Sequence, residues 1–537
     1  MNAVDSPSHG SGWYAATMVP AHARGRLNID LDVDVCVIGG GLAGLTTARE
    51  VARRGWSVAV LEAQHVASGA SGRNCGFVLP GFAERVDRII ARVGLEQARA
   101  LWELSERGLD YVRTTIRDSA MPGVDPVEGW LYISKFRETP ELAAEAAQLR
   151  EFGTEVEMWP AEQVRQLLKS PLYYNAAHFP RAFHVHPLNY ALGLAELAEN
   201  AGAHIYENTP ALSIDPAGIR KRVITPAARV RAAHVVLAAN TGLTGLMPKL
   251  AATLVPVTTY VATTAPLGPA LAEAIAYSGA VTDTERADNH YRIVGGDRLL
   301  WSGGMTTWES DPRRFSRRLA ADIRRTFPQL GKVEIDHIWS GTLGNAVHKM
   351  PQIGEISRGL WLAGAFGGHG FNTTAMAGEL IARGIVEGDQ TWRLFSPYEL
   401  VWAGGALARA AVQIGYWSKR VVEVAEAHMV RRRADRSGAG VVQDVVAPVE
   451  QPVAAPPMAP VETAAAESLA REPQQNHGSG QKAPRRGKAS KRRGKLPLGA
   501  AAEKLSNAIA NGEGQEGAST APEDGPSPPK QPADGPV

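Results

Sequence analysis

The chain has 537 residues, which is enough for a large core and more than one domain. Hydrophobic residues at 44%, charged residues at 21% and a formal net charge of +2 are ordinary for a soluble globular protein and favour neither a nucleic acid nor an acidic partner. Because only Cys36 and Cys75 are present and no segment has the apolar run of a signal peptide or a membrane span, we predict a cytoplasmic protein without a disulfide framework.

The first predicted elements form a β–α–β unit. Residues 32–38 have the apolar pattern of a short strand, residues 42–54 have helical spacing, and residues 57–62 form a second strand. Such a unit predicts two parallel strands joined by a right-handed crossover.

The turn between the first strand and the helix reads Gly-Gly-Gly-Leu-Ala-Gly over residues 39–44. In this pattern Gly39 permits the tight turn, Gly41 lets the backbone approach a pyrophosphate, and Gly44 allows close packing of helix and strand. The helix N-terminus then offers free N–H groups to phosphates. Glu62 ends the next strand, where it can accept hydrogen bonds from both hydroxyls of a ribose that lacks a 2′-phosphate. The turn therefore predicts a dinucleotide cofactor.

The remaining predicted elements alternate between helices and sheet strands. They are a mostly helical region at 81–150 that a strand at 129–133 interrupts, a helix at 188–201, strands at 204–206, 233–239, 255–264, 291–303 and 360–363, and a helix at 373–386. The chain is thus expected to leave a nucleotide-binding domain, build a second sheet and return.

A second segment of small residues, Gly-Ala-Ser-Gly-Arg-Asn-Cys-Gly over residues 69–76, distinguishes FAD from NAD. A flavin extends beyond the pyrophosphate and needs small residues and backbone donors around it, whereas NAD does not need a second segment of this kind. The segment resembles the GASGRNGG stretch of the D-amino-acid-oxidase-like flavoprotein superfamily, in particular its gamma-glutamylputrescine oxidase branch. Cys75 replaces the first glycine of the final pair.

The resemblance continues through most of residues 30–425. Residues 236–240 are similar to the strand that closes the FAD domain, and residues 255–263 to a "PV…Y…T" strand of the second sheet. Residues 364–371 match the superfamily's GxxGHGF turn, which lies along the flavin ring. The resemblance implies that a helix beginning near Thr373 points its N-terminus at the cofactor, where its dipole stabilises the anionic reduced flavin.

The chain also departs from its relatives. Monomeric sarcosine oxidases carry a substrate-holding lysine directly after GHGF, whereas this chain has Asn372. Those enzymes tether FAD through a cysteine before the GHGF segment, and no cysteine occurs here after Cys75, so FAD is expected to bind non-covalently. The missing lysine favours a polyamine-like or larger amine over a sarcosine-type substrate.

These patterns predict two sets of site residues. The expected FAD contacts are Gly39, Gly41, Leu42, Ala43, Gly44, Glu62, Ala63, Gly69, Ala70, Ser71, Gly72, Arg73, Asn74, Asn240, Gly364, Gly367, Gly368, His369, Gly370, Phe371, Asn372 and Thr373. The candidate catalytic or substrate contacts are His369, Tyr260, Tyr291 and Arg292, for each of which a structural role stays an open alternative. His184 and His186 are interpreted as structural, and no metal site is predicted.

We therefore predict an α/β fold, α+β overall, with a Rossmann-like FAD-binding domain, a second, mixed-sheet substrate domain and a disordered carboxy-terminal tail. The predicted segments are a flexible arm at 1–29, the FAD domain at 30–80, 180–245 and 340–395, the substrate domain at 81–179 and 246–339, a helical segment at 396–430, and a tail at 431–537 that is rich in Pro and Ala and poor in aromatics.

Two segments near the carboxy terminus, one apolar and one basic, suggest further binding partners. Residues 400–419 are apolar with a basic end and could lie on a membrane surface, although packing on the protein's own body is favoured. The basic run at 482–495 could bind nucleic acid or anionic lipid. A solvated tail is favoured there, because no aromatic residue interleaves the charges.

The predicted reaction is oxidation of a C–N bond in an amine or amino-acid derivative. Hydride passes from carbon to flavin N5, the imine hydrolyses, and oxygen or another acceptor takes the electrons. One alternative is a dehydrogenase that passes electrons to a membrane quinone. Another is an RNA-modification protein that uses the flavin fold and anchors RNA with the basic tail.

Overall fold

The computed structural model describes residue 10 and residues 12–137, 139–283 and 289–416. The strands in this part of the chain are β1 (Leu31–Ile38), β2 (Val58–Leu61), β3 (Phe77–Val78), β4 (Val127–Ile133), β5 (Glu157–Trp159), β6 (Ala176–His184), β7 (His204–Tyr206), β8 (Ser213–Asp215), β9 (Lys221–Ile224), β10 (Arg229–Leu237), β11 (Val255–Thr264), β12 (Ala280–Asp283), β13 (His290–Val294), β14 (Arg298–Thr306), β15 (Ile335–Asn345), β16 (Gln352–Ser357) and β17 (Leu360–Gly364).

The helices cover the faces of the two sheets that these strands form. They are α1 (Trp13–Ala16), α2 (Leu42–Arg53), α3 (Val86–Val93), α4 (Leu95–Ser119), α5 (Pro140–Glu151), α6 (Ala161–Leu167), α7 (Pro187–Asn200), α8 (Pro248–Ala251), α9 (Pro269–Ala274), α10 (Ser316–Thr326) and α11 (Gly370–Val386). Helical backbone also covers residues 405–416.

The first sheet has the strand order β16-β17-β10-β1-β2-β7, with β9 and β8 added beside β10. Strands β17, β10, β1, β2 and β7 run parallel, so the predicted β–α–β unit and its parallel pairing are confirmed. Alternation along β1 sends Val35 and Val37 into the core that contains α2, α7 and α11, and Cys36 and Ile38 into a second core on the opposite face. Both faces are buried, as expected for parallel strands.

The second sheet has the order β15-β11-β14-β13-β12-β4-β6-β3, with β5 beside β6. It is mixed, because β12 pairs parallel with β4 while its other pairs are antiparallel. The single strand predicted at 291–303 is wrong: Gly295 and Gly296, both at positive φ, turn the chain between β13 and β14. Two glycines suit such a turn because they adopt this backbone conformation without strain.

The first core depends on a close approach between helices α2 and α11. A Cβ atom placed on Gly378 of α11 would lie 2.5 Å from Cβ of Thr46 of α2. Helix α4 crosses the other side of α11, where Gly108 lies against the backbone of Asn372. Small residues at these crossings bring the start of α11 close to the turn that precedes α2.

The predicted domain boundaries at residues 180 and 340 fall within strands of the second sheet. Strand β6 spans Ala176–His184 and β15 spans Ile335–Asn345, and both lie wholly in that sheet. Strand β3, which lies within the predicted 30–80 segment, also joins the second sheet. The two sheets are therefore described below by their strands rather than by these boundaries.

The terminal segments differ in what the structure describes. Part of the arm predicted to be flexible at 1–29 is packed: Tyr14 and Leu27 are buried, and Arg24 donates to both carboxylate oxygens of Glu199 at 2.9 and 2.7 Å. These contacts bury apolar and charged groups that a free arm would leave in water. The predicted tail at 431–537 lies outside the described residues. Within the described part, no helix has both the length and the apolar run to cross a membrane.

Candidate functional site

A cleft lies between the turn that precedes α2 and the second sheet. The residues that line it are Gly41, Leu42, Ala43, Ala70, Ser71, Arg73, Asn74, Cys75, Phe77, Leu79, Ala238, Asn240, Thr259, His290, Ser302, Gly341, Leu343, Gly344, Phe366, Gly367, Gly368, Gly370, Phe371 and Thr374. Three glycine-containing segments that are distant in sequence therefore meet at one space, as the sequence motifs predict.

The turn before α2 brings backbone, not side chains, to the cleft. Gly39 has φ of +113°, and a Cβ atom there would lie 2.6 Å from the carbonyl oxygen of Ala238. A Cβ atom on Gly41 would lie 2.8 Å from Oγ of Ser71. The hydroxyl of Ser71 accepts a hydrogen bond from the backbone N–H of Leu42 at 3.0 Å. This narrow, backbone-walled space fits a pyrophosphate, and larger residues would fill it.

The side chain of Glu62 lies next to this turn and forms hydrogen bonds with backbone N–H groups. Its Oε2 accepts from the backbone N–H of Gly40 at 2.7 Å, and its Oε1 accepts from that of Gln64 at 2.9 Å. Burial raises the pKa of Glu62, and these two hydrogen bonds oppose that rise. Each carboxylate oxygen has a second lone pair, so a ribose hydroxyl can be bound beside the backbone donors.

The segment at 69–76 is held together by the side chain of Asn74. Its Nδ2 donates to the carbonyl oxygens of Ala70 and Ser71 at 3.0 and 2.9 Å, and its Oδ1 accepts from Gly76 N at 2.7 Å. The carbonyl of Arg73 accepts from the indole N–H of Trp339 at 2.9 Å. The side-chain bonds explain the asparagine of the motif: Asn74 shapes the segment with its amide while still lining the cleft.

The segment at 364–374 contributes the opposite wall. Helix α11 begins at Gly370, three residues before the predicted start, so the expectation of a start near Thr373 is corrected. Because of the helical turn, Phe371 and Thr374 line the cleft while Asn372 and Thr373 point away from it. Nδ2 of Asn372 donates to the carbonyl oxygen of Gly81 at 2.9 Å, and the hydroxyl of Thr373 donates to the carbonyl oxygen of His369.

Several predicted FAD contacts do not line the cleft. They are Gly39, Gly44, Glu62, Ala63, Gly69, Gly72, Gly364, His369, Asn372 and Thr373. Gly39 and Glu62 act on the turn as described above, and His369 lines the adjoining cavity. For the Asn372 side chain the expected cofactor contact is corrected, since its amide is directed at the backbone near α4.

A cavity of about 460 Å³ adjoins the cleft and shares lining residues with it. The shared residues are Leu79, Thr259, His290, Leu343 and Gly368. Its apolar walls include Phe82, Trp102, Trp130, Leu142 and Phe179. Glu84, Arg85 and Glu145 also line it, with Nη1 of Arg85 lying 3.5 Å from a carboxylate oxygen of Glu145. A pocket of this size and composition suits a small organic substrate.

Two of the predicted substrate contacts lie on the wrong face of the second sheet. Tyr260 and Tyr291 are fully buried in the core that α9 and α10 cover, where Tyr260 stacks on Phe315 and Tyr291 on Trp301. Neither tyrosine lines the cleft or the cavity. The physical reason is the two-residue period of a strand, which sends neighbouring side chains to opposite faces.

The side chain of Arg292 lies on the face of the second sheet that borders the cleft, but its guanidinium is hydrogen-bonded within the protein. It donates to Nδ1 of His184 at 2.8 Å, to the carbonyl oxygen of Val185 at 2.9 Å and to the hydroxyl of Tyr14 at 3.2 Å. Burial and the Arg292 charge lower the pKa of His184 to about 3. His184 is hydrogen-bonded on both ring nitrogens, and His186 binds Asn189 N and Thr17. The structural interpretation of both histidines agrees with these contacts.

His290 lines both the cleft and the cavity, and His369 lines the cavity. His369 precedes α11 and lines the cavity, and its Nδ1 has no hydrogen-bond partner among the described residues. Burial, together with His290, lowers the pKa of His369 to about 4. Burial likewise lowers the pKa of His290 to about 4. Both rings are therefore neutral near pH 7.

Sequence reasoning missed His290 and Thr259, each of which directly precedes one of the two buried tyrosines. The alternation of β11 and β13 could have indicated them, since a face that buries Tyr260 and Tyr291 must turn Thr259 and His290 to the other side. The alternation by itself does not show which of the two faces borders the cleft.

The apolar segment near residue 400 has one packed side and one open side. Oε1 of the buried Gln413 accepts from Thr307 N at 2.9 Å, so the 405–416 helix is attached to the body, and Tyr416 lines the cavity. The favoured prediction of packing is thus met on one side only. On the other side, apolar side chains remain exposed: Val401, Trp402, Leu407 and Ile414. Residues 417–419 lie outside the described part.

Comparison with known proteins agrees with this geometry. A family model described as FAD dependent oxidoreductase, DAO, matches residues 34–383. The chain is 31% identical over 388 residues to gamma-glutamylputrescine oxidoreductase of Escherichia coli (strain K12), covering 71% of this chain and 90% of that protein. It is 30% identical over 393 residues to the probable oxidoreductase OrdL of Haemophilus influenzae, with the same two coverages of 71% and 90%.

A solved structure shows the same fold. Glycine oxidase from Geobacillus kaustophilus superposes on this chain with a TM-score of 0.58, at 21% sequence identity, and the match covers 69% of this chain and 99% of that one. The shared architecture confirms the predicted pairing of a nucleotide-binding fold with a second, mixed sheet.

Proposed function

Because the chain belongs to the DAO family of FAD-dependent oxidoreductases, we propose that it oxidises a C–N bond of an amine or amino-acid derivative. The observation that carries this proposal is the cavity that adjoins the cleft through Thr259, His290 and Gly368. A substrate in that cavity would meet a cofactor in the cleft without leaving the protein. The apolar part of the walls would limit the water that reaches the reacting carbon.

The cleft supplies the groups that would hold FAD. The backbone around Gly41 and the N-terminus of α2 would bind the pyrophosphate. Glu62, which lies behind the turn and outside the cleft lining, would bind the adenosine ribose. The small residues of 70–75 and the start of α11 would surround the flavin. Binding is proposed to be non-covalent, since the sequence has no cysteine after Cys75.

In the proposed reaction the substrate carbon loses a hydride and the nitrogen loses a proton, which leaves an imine. Water then hydrolyses the imine to a carbonyl compound and releases ammonia or an amine. FAD, when bound, would supply the hydride acceptor, and oxygen or another acceptor would take the two electrons. The chain's own residues orient the substrate and exclude water. His290 and His369 are neutral and weakly basic, so neither ring is a strong acceptor for the proton of an ammonium substrate.

The proposal is tested by mixing the FAD-loaded enzyme anaerobically with a panel of primary and secondary amines and amino acids. Loss of the visible flavin absorbance with one class identifies the substrate. Oxygen consumption with peroxide release then distinguishes an oxidase from an enzyme that needs another acceptor. If no member of the panel bleaches the flavin, the proposed amine oxidation is wrong.

A second candidate is a dehydrogenase that passes electrons to a membrane quinone. It is favoured by the exposed apolar side of residues 401–416, which includes Trp402, Leu407 and Ile414. Sedimentation with anionic lipid vesicles tests this candidate, with Leu407→Ser and Ile414→Ser as variants. Vesicle binding that both substitutions reduce, together with quinone-dependent turnover, supports it, whereas full activity with oxygen and no vesicle binding contradicts it.

The RNA-binding alternative depends on the basic run at 482–495, which lies outside the described residues. Deleting residues 478–500 and measuring RNA binding tests it. Binding that the deletion does not change, or no binding by the full chain, contradicts an RNA anchor in this run.

A further inference from the structure

The described part of the amino-terminal arm packs against the 69–76 segment from the side away from the cleft. None of the described arm residues lines the cleft itself. A second cavity of about 350 Å³ lies between the arm and the segment, and the lining that these two contribute is Gly10, Gly12, Tyr14, Ala15, Gly72 and Arg73. Arg73 also lines the cleft. The arm therefore lies behind the segment that would surround the flavin.

The first connection between arm and segment passes through Trp339 of β15. Its indole N–H donates to the carbonyl oxygen of Arg73 at 2.9 Å, which fixes the middle of the segment. The arm covers this indole. The ring centroids of Tyr14 and Trp339 lie 5.2 Å apart in an edge-to-face arrangement, and a Cβ atom placed on Gly12 would lie 3.1 Å from the indole ring. The arm thus holds the indole where its N–H reaches Arg73.

The second connection passes through Arg292 and reaches Gly76, where the segment ends. Gly76 has φ of +81°, and a Cβ atom there would lie 3.1 Å from Nη2 of Arg292, so the guanidinium lies directly against the backbone. The same nitrogen donates to the carbonyl oxygen of Val185 at 2.9 Å and to the hydroxyl oxygen of Tyr14 at 3.2 Å. The backbone N–H of Val185 in turn donates to the carbonyl oxygen of Gly76 at 2.8 Å. Tyr14 therefore supports the guanidinium that lies against the end of the segment.

Tyr14 is common to both connections. It is only 3% exposed, and its ring also packs against His186, with the ring centroids 4.9 Å apart. Burial raises the pKa of Tyr14 to about 12, so its hydroxyl stays neutral beside Arg292. Helix α1 has only four residues, Trp13–Ala16, and a helix of one turn is not stable by itself. The contacts of Tyr14 thus hold the arm in place as well as the segment.

We propose that the amino-terminal arm is part of the cofactor site, with Tyr14 as a positioning residue that holds the 69–76 segment in its FAD-binding shape through Trp339 and Arg292. The arm lies outside residues 34–383, which the family model matches. The inference rests on the proposed placement of FAD in the cleft and not on the proposed amine oxidation. When the arm is released, the segment loses its outer support, so FAD binds less tightly.

The first measurement is the dissociation constant of FAD. The cofactor is removed from the full chain, FAD is titrated back, and the change in flavin fluorescence gives the constant. We expect Tyr14→Phe to raise the dissociation constant by about 3- to 10-fold, because it removes only the hydrogen bond with Arg292. We expect Tyr14→Ala to raise it by about 10- to 100-fold, because the contact with the ring of Trp339 is lost as well.

Two further variants test the connection through Trp339 and the specificity of the effect. Trp339→Phe keeps an aromatic ring beneath the arm but removes the N–H that binds the carbonyl oxygen of Arg73, and we expect FAD binding to weaken by about 3- to 10-fold. Arg24→Gln is the matched control, because Arg24 belongs to the same arm but forms its ion pair with Glu199 of α7. Its dissociation constant for FAD should stay within about two-fold of the wild type.

Urea denaturation, with and without FAD, distinguishes positioning from a general loss of stability. Because FAD stabilises the folded chain in proportion to how tightly it binds, weaker binding appears as a larger loss of stability in the loaded enzyme than in the apoenzyme. We expect this difference in Tyr14→Phe and Trp339→Phe, and equal losses in Arg24→Gln. If Tyr14→Phe and Trp339→Phe bind FAD as the wild type does, the proposal is overturned, whether or not Tyr14→Ala folds.

Gly41→Val separates the inference about the arm from the placement of FAD on which it rests. The new side chain would enter the cleft beside Ser71, since even a Cβ atom at this position would lie 2.8 Å from the Ser71 hydroxyl oxygen, and FAD binding should be abolished. Wild-type FAD binding in Gly41→Val would overturn the placement of FAD in the cleft and the inference with it. Loss of binding in Gly41→Val, with no effect of Tyr14 or Trp339, would overturn the role of the arm alone.

Discussion

The two faces of the second sheet are made by the same strands and differ in what lies against them. Tyr260 and Trp301 belong to the face that α9 and α10 cover, and both are fully buried. Thr259 and His290 belong to the face that borders the cleft and the cavity. A step of one residue along β11 thus moves a side chain from a core to a site. In this sheet, strand register decides the role of a residue more than its chemical type does.

The largest loss of stability is expected from a substitution on the face that α9 and α10 cover. Trp301→Ala should lower the free energy of unfolding by about 3–5 kcal/mol, because it removes a fully buried ring that stacks on Tyr291 with centroids 4.6 Å apart. Urea denaturation measures the change. Ser302→Ala, the next residue and on the open face, is the control and should cost about 1 kcal/mol or less. Equal losses in the two variants would contradict the difference between the faces.

A smaller change in stability is expected from the protonation of the two histidines that line the cleft or the cavity. The pKa values of His290 and His369 are lowered from the ordinary 6.5 to about 4. Between pH 4 and pH 6.5 the unfolded chain binds more protons than the folded chain. The free energy of unfolding is therefore highest above pH 6.5 and falls as the pH falls toward 4. The loss should reach up to about 3 kcal/mol for each ring.

Denaturation curves recorded at several pH values between neutral and acid test this dependence. His290→Gln should reduce the fall in unfolding free energy, since the amide does not titrate in this range. An identical pH dependence in wild type and variant would show that His290 is not held neutral by the fold.

The hydroxyl of Tyr260 provides a subtler test of the covered face. It lies 2.9 Å from the hydroxyl of Thr306, and Tyr260→Phe removes this buried hydrogen bond. We expect a loss of about 1 kcal/mol in unfolding free energy with no change in kcat/KM. A marked change in kcat/KM at unchanged stability would place Tyr260 in the site after all.

The smallest stability change is expected one residue earlier. Thr259→Val replaces a hydroxyl at the junction of cleft and cavity with a methyl group of similar size. Its effect on unfolding should stay within about 0.5 kcal/mol, while KM for the substrate shifts by a few fold because a polar group has been removed from the site. If Thr259 belonged to the core, the substitution would change the free energy of unfolding and leave KM unchanged.

Most of the cleft could be predicted from the sequence, because each contributing motif is local. The turn at 39–44 carries its own strand and helix, and the 69–76 segment carries Asn74, whose amide closes its own loop. Groups that bind within a few residues of themselves leave a pattern that can be recognised without the fold. The predicted start of α11 was three residues too late, because the glycine-rich sequence before Thr373 does not show where the helix begins.

The direction of single side chains could not be predicted. Asn372 adjoins the GHGF turn, yet its amide donates to Gly81, since the crossing of α4 and α11 determines which side of the helix faces the cleft. Arg292 lies on the cleft side of its strand, yet its guanidinium is hydrogen-bonded to His184 and Tyr14. Both outcomes depend on partners far away in the chain.

By itself the sequence determined the class of cofactor and the paired architecture, because glycines, strand alternation and helix spacing act over a few residues. Only the tertiary structure shows which face of the second sheet borders the cleft, and it places Thr259 and His290 there instead of Tyr260 and Tyr291. The physical reason is that the local sequence of a strand buried on both sides does not show what packs against each of its two faces. Only the elements packed against it, α9 and α10 on one side and the cleft on the other, distinguish them.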